Sequence, residues 1–262
     1  MYTLGVYLLG VLSMGLPRPG WLTTTYLLIV AQACYLLDRV KLTDSRQDPA
    51  DALALPDRAL FFARHSSLLR IVCVVELLVS SVLGYLMMPM LALIPLCALI
   101  GVYTYAGRGA SPSKPRFKDL PALKSFFIAS AHLALMIVVA WGNTPDQADH
   151  LQLQTWWSLV GLWLIVSADA IICDLDDVES DALYSTRSLP VLIGSRYAWR
   201  SAITMLLAGV MCLLIPNAFA PRYVGLAVAI LLTAIPTRAM KNRRDLIDAR
   251  LLPVVIIAML MR

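Results

Sequence analysis

The stretch TWWSLVGLWLIVSADAIIC at residues 155–173 is almost wholly apolar, and the acidic segment DLDDVESD at residues 174–181 follows it directly. An apolar run of this length is long enough to form a helix that crosses a bilayer. Carboxylates at the rim of a membrane span are energetically costly, so they indicate a functional site. On one continuous helix, Asp174, Asp177 and Asp181 would lie on one face, at positions i, i+3 and i+7.

Three carboxylates on one face repel one another unless a cation lies among them. Hard divalent cations prefer oxygen ligands, and Mg²⁺ is commonly bound together with phosphate or diphosphate oxygens. The segment therefore predicts a Mg²⁺ site at the end of a membrane helix.

The composition of the whole chain agrees with a membrane location. Of its 262 residues, 59% are hydrophobic and only 15% are charged, and the mean hydropathy is +0.73. These values exclude an ordinary soluble domain of this size. We predict an all-α bundle of about nine transmembrane helices, forming a single domain over residues 1–262. The approximate spans are 2–16, 20–37, 66–87, 90–106, 122–142, 155–173, 198–215, 222–237 and 249–261.

The basic residues predict the orientation of this multi-pass protein. Of the 22 Lys and Arg residues, 19 lie in or beside the loops that follow the second, fourth, sixth and eighth spans. Loops rich in Lys and Arg face the cytoplasm, so we place the acidic segments on the cytoplasmic side, with a bacterial inner membrane as the expected location. This distribution accounts for the net charge of +5 through contact with membrane lipid, without a nucleic-acid partner.

Another acidic segment follows the second span. It lies on the same predicted cytoplasmic side as the segment at 174–181 and four spans before it. It contains Asp38, Asp44, Asp48 and Asp51, and its position suggests an internal duplication of the bundle. Asp44, Asp48 and Asp51 would share a face if the stretch were helical. The alternative interpretation is a solvated loop surface.

The segment at 174–194 reads D-x-x-D-x-x-x-D and continues as R-S-L-P-V-L-I-G at residues 187–194. It closely resembles the second aspartate motif of the UbiA superfamily of intramembrane prenyltransferases. Those enzymes are typically nine-helix bundles that use Mg²⁺ to transfer a polyprenyl chain from its diphosphate to an aromatic or other lipophilic acceptor. The resemblance implies a prenyltransferase with Mg²⁺ as cofactor. It also implies catalytic and metal-binding roles for Asp174, Asp177 and Asp181.

The first aspartate motif departs from the family pattern N-D-x-x-D-x-x-x-D. Aligned on Asp38, the other three motif positions hold Cys34, Tyr35 and Leu42. The resemblance thus carries a catalytic and metal-binding role over to Asp38 alone. Asp44 and Asp48 stand further along the chain, and we predict them as replacement metal ligands.

The loop after the fourth span carries Tyr and Lys residues near the diphosphate in this superfamily, and Tyr105 and Lys118 are the similar positions here. We add Arg39 and Arg116 as predicted diphosphate contacts. A cation opposite a bound diphosphate neutralises the charge that grows as the leaving group departs. The alternative role for these residues is anchoring at the membrane surface.

Two other functions remain open at this point. A terpene cyclase of the same fold would capture the allylic cation internally. A non-catalytic isoprenoid-binding relative is favoured by the altered first motif.

Overall fold

Helices are the only regular elements in the part of the chain that this computed structural model describes, namely residues 2–42, 52–53, 56–106, 116–143, 153–240 and 243–260. The α-helices are α1 Tyr2–Ser13, α2 Trp21–Val40, α3 Pro56–Arg64, α4 Ser66–Met87, α5 Ile94–Ala106, α6 Leu123–Asn143, α7 Leu153–Asp174, α8 Val178–Leu183, α9 Leu189–Ile193, α10 Ser195–Leu214, α11 Pro221–Ala234 and α12 Arg243–Leu260. Three 3₁₀ helices cover Pro89–Leu93, Phe117–Asp119 and Ile235–Arg238.

Each of the nine predicted spans overlaps one α-helix, the shortest being α1 with 12 residues and the longest α4 and α7 with 22, which confirms the predicted all-α membrane fold. Five helical segments are long and apolar enough to cross a membrane: Ser66–Met87, Pro89–Ala106, Leu123–Ala140, Leu153–Asp174 and Ser195–Leu214. The boundaries differ most at the last span, where α12 begins at Arg243 rather than at 249. Its first two turns are charged, so an apolar pattern detects only the later part of this helix.

The outer face of α4 shows why this fold requires a lipid environment. Large apolar side chains recur at three- and four-residue spacing along it, and each is at least half exposed: Leu68, Ile71, Val75, Leu78, Val82 and Leu86. A continuous apolar helix face of this kind would be costly in water and is favourable in hydrocarbon. The chain is therefore an integral membrane protein.

The chain divides into two compact units, each built from separate parts of the sequence. Unit 1 comprises Met1–Pro19, Ser125–Asp176 and Ile193–Arg262. Within it α7 packs along α10, and α1 packs along α12. Gly161 of α7 and Gly209 of α10 permit the first contact, since a Cβ on either would lie 2.8 Å from the carbonyl oxygen of the other.

Unit 2 comprises Gly20–Lys124 and Asp177–Leu192. Here α2 packs against α4 and α5. The buried Tyr26 hydroxyl donates to the Leu91 carbonyl at 2.8 Å, which ties α2 to the 3₁₀ helix before α5. The single domain over residues 1–262 stays a prediction.

The acidic segment is not one continuous helix, so the predicted helical spacing of Asp174, Asp177 and Asp181 is wrong. Helix α7 ends at Asp174, and α8 begins at Val178. Within the interruption, the Asp176 carboxylate accepts hydrogen bonds from the backbone N–H groups of Arg243 and Arg244 at 2.8 and 3.2 Å. It thereby caps the start of α12, whose first N–H groups have no partner within their own helix.

Candidate functional site

The C-terminal end of α2 holds Asp38 in a fixed setting. Lys41 follows the helix with a φ of 47°, a left-handed conformation that a lysine rarely adopts. This turn is stabilised from two sides, because Arg70 donates to the Lys41 carbonyl at 3.0 Å and the Leu42 N–H donates to the Tyr103 hydroxyl at 2.7 Å. The Lys41 ammonium thereby reaches back to the Asp38 carboxylate at 3.3 Å.

Three cations surround the Asp38 carboxylate. Arg39 Nε lies 3.7 Å from it, Lys41 Nζ lies 3.3 Å from it, and Lys118 acts on it electrostatically. Burial raises the pKa of Asp38, but the charges of Arg39, Lys41 and Lys118 outweigh burial and hold the pKa well below its usual range. Asp38 is therefore ionised at neutral pH.

The 3₁₀ helix Phe117–Asp119 carries Lys118 and is fixed at both ends. The Arg116 guanidinium forms two hydrogen bonds with the Asp119 carboxylate, at 3.0 and 3.1 Å. The Thr186 hydroxyl donates to the same carboxylate at 2.8 Å, and the Ala122 N–H donates to the Arg187 carbonyl at 2.8 Å. Burial raises the pKa of Asp119, but the hydrogen bonds from Arg116 and Thr186 outweigh burial and lower the pKa.

Lys124 joins the two carboxylates that follow α7 in the sequence. Its ammonium lies 3.3 Å from the Asp177 carboxylate and 3.0 Å from that of Asp181. Asp181 is held in α8 by its backbone N–H, which donates to the Asp177 carbonyl at 2.7 Å. The carboxylates of Asp177 and Asp181 therefore converge on a single cation.

These residues of unit 2 form what we call the mixed-charge cluster: Asp38, Arg39, Lys41, Arg116, Lys118, Asp119, Lys124, Asp177, Asp181 and Thr186. It contains five cationic and four anionic side chains, so it is close to neutral. The structure thus brings most of the predicted site residues of this unit into one region. Tyr105, also a predicted diphosphate contact, is half-buried near the end of α5.

Asp174 lies in unit 1 and has a different environment. Its side chain is buried and accepts a hydrogen bond of 2.7 Å from the buried Ser125 hydroxyl. Nearby in the sequence, Asp176 forms an ion pair of 2.6 Å with Arg243.

The predicted metal ligands Asp44 and Asp48 lie outside the described residues. Among the residues that are described, no group of three or more His, Cys, Asp and Glu side chains is gathered as a metal cage would require. Mg²⁺ does not need such a cage, because it is usually held by one or two carboxylates together with substrate phosphates and water. Asp177 and Asp181, which already share one cation, fit that smaller ligand set.

Sequence reasoning gave no role to Lys124, although it lies in the same loop region as Lys118. Lys124 lies in the first turn of a predicted span, where a lysine usually sets the orientation of the helix in the membrane, so its position alone does not indicate a binding site. Sequence reasoning also grouped Arg250 with the cytoplasmic loops. The structure corrects this, because Arg250 is buried in α12, bound to Asp169 of α7.

The motif at residues 187–194 has a structural explanation. The Arg187 carbonyl accepts a hydrogen bond from the Ala122 N–H, and residues 189–193 of the motif form α9. Gly194 has a φ of 83°, which lets the chain turn sharply into α10. The motif thus connects the acidic segment to the next membrane helix.

A comparison with protein-family models finds one match, to the UbiA prenyltransferase family, over residues 55–252. Searches of the curated proteins and of the solved structures found no significant match. The matched range covers more than half of the chain and contains the turn with Lys118, the acidic segment and the motif that follows it. The chain therefore belongs to the UbiA prenyltransferase family.

Proposed function

We propose that this protein catalyses the Mg²⁺-dependent transfer of a polyprenyl group from its diphosphate to a lipophilic acceptor, with an aromatic acceptor favoured. Membership of the UbiA prenyltransferase family supports prenyl transfer in general. The observation that carries the proposal for this chain is the convergence of Asp177 and Asp181 on one cation within the mixed-charge cluster.

The carboxylates of the cluster are the groups that would hold the metal ion. Asp177 and Asp181 already bind the Lys124 ammonium at 3.3 and 3.0 Å, so each has an oxygen available to a cation. Asp38 stays ionised because of its cationic neighbours. Bound Mg²⁺ supplies positive charge to the diphosphate of the donor.

The cations of the cluster are the groups that would bind the diphosphate. Lys118 lies on a turn that the Arg116–Asp119 contact holds in place, so its backbone position is fixed for contact with the diphosphate. Lys124 would bind diphosphate oxygens, while its present partners Asp177 and Asp181 would hold the metal ion. Arg116 is committed to Asp119, which favours a positioning role, whereas Arg39 and Tyr105 complete the predicted set of contacts.

The chemistry follows from these charges. The bond between the allylic carbon and the diphosphate oxygen breaks, and its electron pair leaves with the oxygen. The cluster's cations stabilise the negative charge that develops on the leaving group. A nucleophilic carbon of the acceptor attacks the allylic cation, and the proton it then loses passes to the released diphosphate. Exclusion of water by the surrounding apolar helices prevents hydrolysis of the cation.

We also propose that the mixed-charge cluster faces the cytoplasm, in a bacterial inner membrane. The support is the concentration of Lys and Arg in alternate loops. Labelling of single cysteines placed in the loops at 107–115 and 144–152 would test this. Only the first should react with a membrane-impermeant reagent in inside-out vesicles.

The test of the reaction uses the full chain, purified and reconstituted in lipid nanodiscs. Prenyl diphosphates of increasing chain length are supplied with a panel of aromatic and other lipophilic acceptors. Diphosphate release and prenylated product are both measured, with Mg²⁺ and with EDTA. The double variant Asp177→Asn with Asp181→Asn should lose at least about 10²–10³-fold in transfer rate, because it removes the carboxylates that would hold the metal ion, whose positive charge would act on the leaving group.

The matched control removes the same two charges elsewhere, through Asp57→Asn with Asp245→Asn, both at exposed positions. Transfer at the wild-type rate in the Asp177/Asp181 variant would refute the proposed roles of these residues. Release of a cyclic hydrocarbon in the absence of acceptor would identify a cyclase instead. Donor binding with no Mg²⁺-dependent diphosphate release would identify a non-catalytic relative, which the departure of the first motif favours as the second candidate.

A further inference from the structure

A basic cavity of about 280 Å³ lies in unit 1, and its lining includes none of the residues assigned to the reaction. Leu175, which follows α7, forms one part of its wall. The start of α10 and the residues around the end of α11 and the start of α12 form the rest. We call it the arginine cavity, because its lining includes Arg196, Arg200, Arg238 and Arg243.

Three of these four arginines have no carboxylate partner among the described residues. Arg243 is neutralised by Asp176 at 2.6 Å. Arg238 and Arg200 instead lie over aromatic rings, 5.7 Å from the ring centre of Trp199 and 6.0 Å from that of Tyr197. Arg196 is exposed at the first turn of α10. The cavity therefore holds a positive charge of about three that no carboxylate of the described residues balances.

The wall of the cavity is ordered. The Trp199 indole N–H donates to the Thr237 hydroxyl at 3.2 Å, and the Thr237 hydroxyl donates to the Ala234 carbonyl at 2.5 Å. These bonds fix the ring over which Arg238 lies. A guanidinium held by an aromatic face keeps its N–H donors free to bind the oxygens of a phosphate.

A second hollow of about 600 Å³ adjoins the arginine cavity and shares Arg200 with it. It is lined by Tyr197, Ser201, Thr204 and Met205, which recur at helical spacing along one face of α10. We call it the α10 groove. From Tyr197 to Met205 it follows about 12 Å of a helix that is long and apolar enough to cross a membrane. A ligand with its anionic end at Arg200 would thus lay an apolar chain along that helix.

We propose that the arginine cavity and the α10 groove together bind one anionic phospholipid, with its phosphate between Arg196, Arg200 and Arg238 and an acyl chain along α10. Basic pockets beside membrane helices are suited to such headgroups. A metal-bound prenyl diphosphate fits less well, because the described lining of the cavity contains four arginines and no carboxylate to hold a metal ion. The proposal is independent of the reaction proposed above.

The test measures bound lipid by native mass spectrometry on the full-length protein after removal of bulk lipid. Wild-type protein should retain one phosphatidylglycerol and no phosphatidylcholine. The triple variant R196Q/R200Q/R238Q should lower phosphatidylglycerol occupancy at least fivefold. The single variant R200Q should lower it about threefold, and R200K should restore more than half of it, because the lysine keeps the charge.

The control for loss of one charge is R64Q, at an exposed position at the end of α3. Circular dichroism and the Tm show whether each variant is folded. If the triple variant does not fold, the comparison of R200Q with the wild type is the test. Inorganic diphosphate and farnesyl diphosphate, each without Mg²⁺, serve as competitors. The proposal is overturned if phosphatidylcholine binds equally well or if R64Q acts like R200Q. Arginine-dependent displacement of the lipid by either competitor would also overturn it, by assigning the cavity to a soluble phosphate or to the prenyl donor.

Discussion

Two carboxylate–cation contacts in this protein have opposite surroundings. In unit 1, Asp169 and Arg250 are both 1% exposed, and the Tyr2 hydroxyl also donates to Asp169 at 2.9 Å. In unit 2, Lys124, Asp177 and Asp181 are 13%, 15% and 6% exposed. The first contact is sealed inside packed helices, whereas the side chains of the second keep partial access to solvent.

The difference separates a structural role from a binding role. Arg250 also donates to the Ile230 carbonyl at 3.1 Å, so its guanidinium links α7, α11 and α12. Exchange of Asp169 for another partner would leave this guanidinium buried without its counter-charge. Lys124 is shared between two carboxylates, and a metal ion can take its place without exposing a buried charge. Asp169 and Asp177 are only eight positions apart, yet the first has a structural role and the second fits a binding role.

The largest expected effect comes from breaking the sealed contact. Asp169→Ala should lower the free energy of unfolding by about 3–5 kcal/mol, because it leaves the Arg250 charge buried and uncompensated. The measurement is unfolding by SDS titration in mixed micelles, followed by circular dichroism. The double variant Asp169→Leu with Arg250→Met should recover more than half of the loss, since it removes both charges and keeps the volume.

This prediction can fail in an informative way. If Asp169→Ala is as stable as the wild type, the sealed contact does not hold the helices together. The distinction drawn between the two contacts would then have no basis. A double variant that is no better than Asp169→Ala would show that shape, and not the uncompensated charge, sets the cost.

A smaller effect is expected at Asp174, which shares the buried setting of Asp169 but has a neutral partner. Ser125→Ala removes the 2.7 Å hydrogen bond to its carboxylate and should cost about 1.5–3 kcal/mol, the range for bonds to charged groups. The same SDS titration measures it. Thr104→Ala, an exposed hydroxyl that bonds only within its own helix, should change stability by about 0.5 kcal/mol or less. Equal effects of the two variants would show that burial of Asp174 contributes nothing.

The sequence predicted what depends on local pattern. All nine apolar runs became helices, because hydropathy and length determine whether a segment can cross a membrane. Asp38 and Lys118, both predicted as site residues, interact electrostatically, and the diphosphate site itself stays a prediction. The family motif at 174–194 located the acidic segment that the mixed-charge cluster uses.

What the sequence did not predict depends on partners far away along the chain. Asp169 accepts a hydrogen bond from Arg250, which is 81 positions away in the sequence, and Asp176 accepts one from Arg243, which is 67 positions away. The second contact lies in the interruption between α7 and α8, after which Asp177 and Asp181 no longer continue the helical face expected for them. The choice of Lys124 as their common partner, 53 and 57 positions away, likewise follows from packing and not from spacing.

The turn that supports Lys118 predicts a dependence on pH. The folded-state pKa of Asp119 is lowered, so its contribution to stability is present above the unfolded value of about 3.9 and is lost as pH falls through the folded value. The wild type should therefore lose more Tm than Asp119→Asn when the pH falls from about 5 to about 3. The exposed carboxylate variant Asp57→Asn should follow the wild type. Parallel curves for the wild type and Asp119→Asn would exclude Asp119 as the source of this acid sensitivity.

At the open contact, Lys124→Met should cost less stability than Asp169→Ala, because its side chains are 6–15% exposed whereas those of the sealed contact are 1% exposed. The variant removes the ammonium that Asp177 and Asp181 share, and carboxylates that lose a shared cation favour uptake of another. Mg²⁺ should therefore raise the Tm of Lys124→Met more than that of the wild type, and Lys124→Arg should behave like the wild type. Lys41→Met, at the other end of the mixed-charge cluster, is the control, because it leaves Lys124 in place between the two carboxylates. If Mg²⁺ stabilises the Lys124 and Lys41 variants equally, the ammonium and the metal ion do not compete for Asp177 and Asp181, and the open contact is as structural as the sealed one.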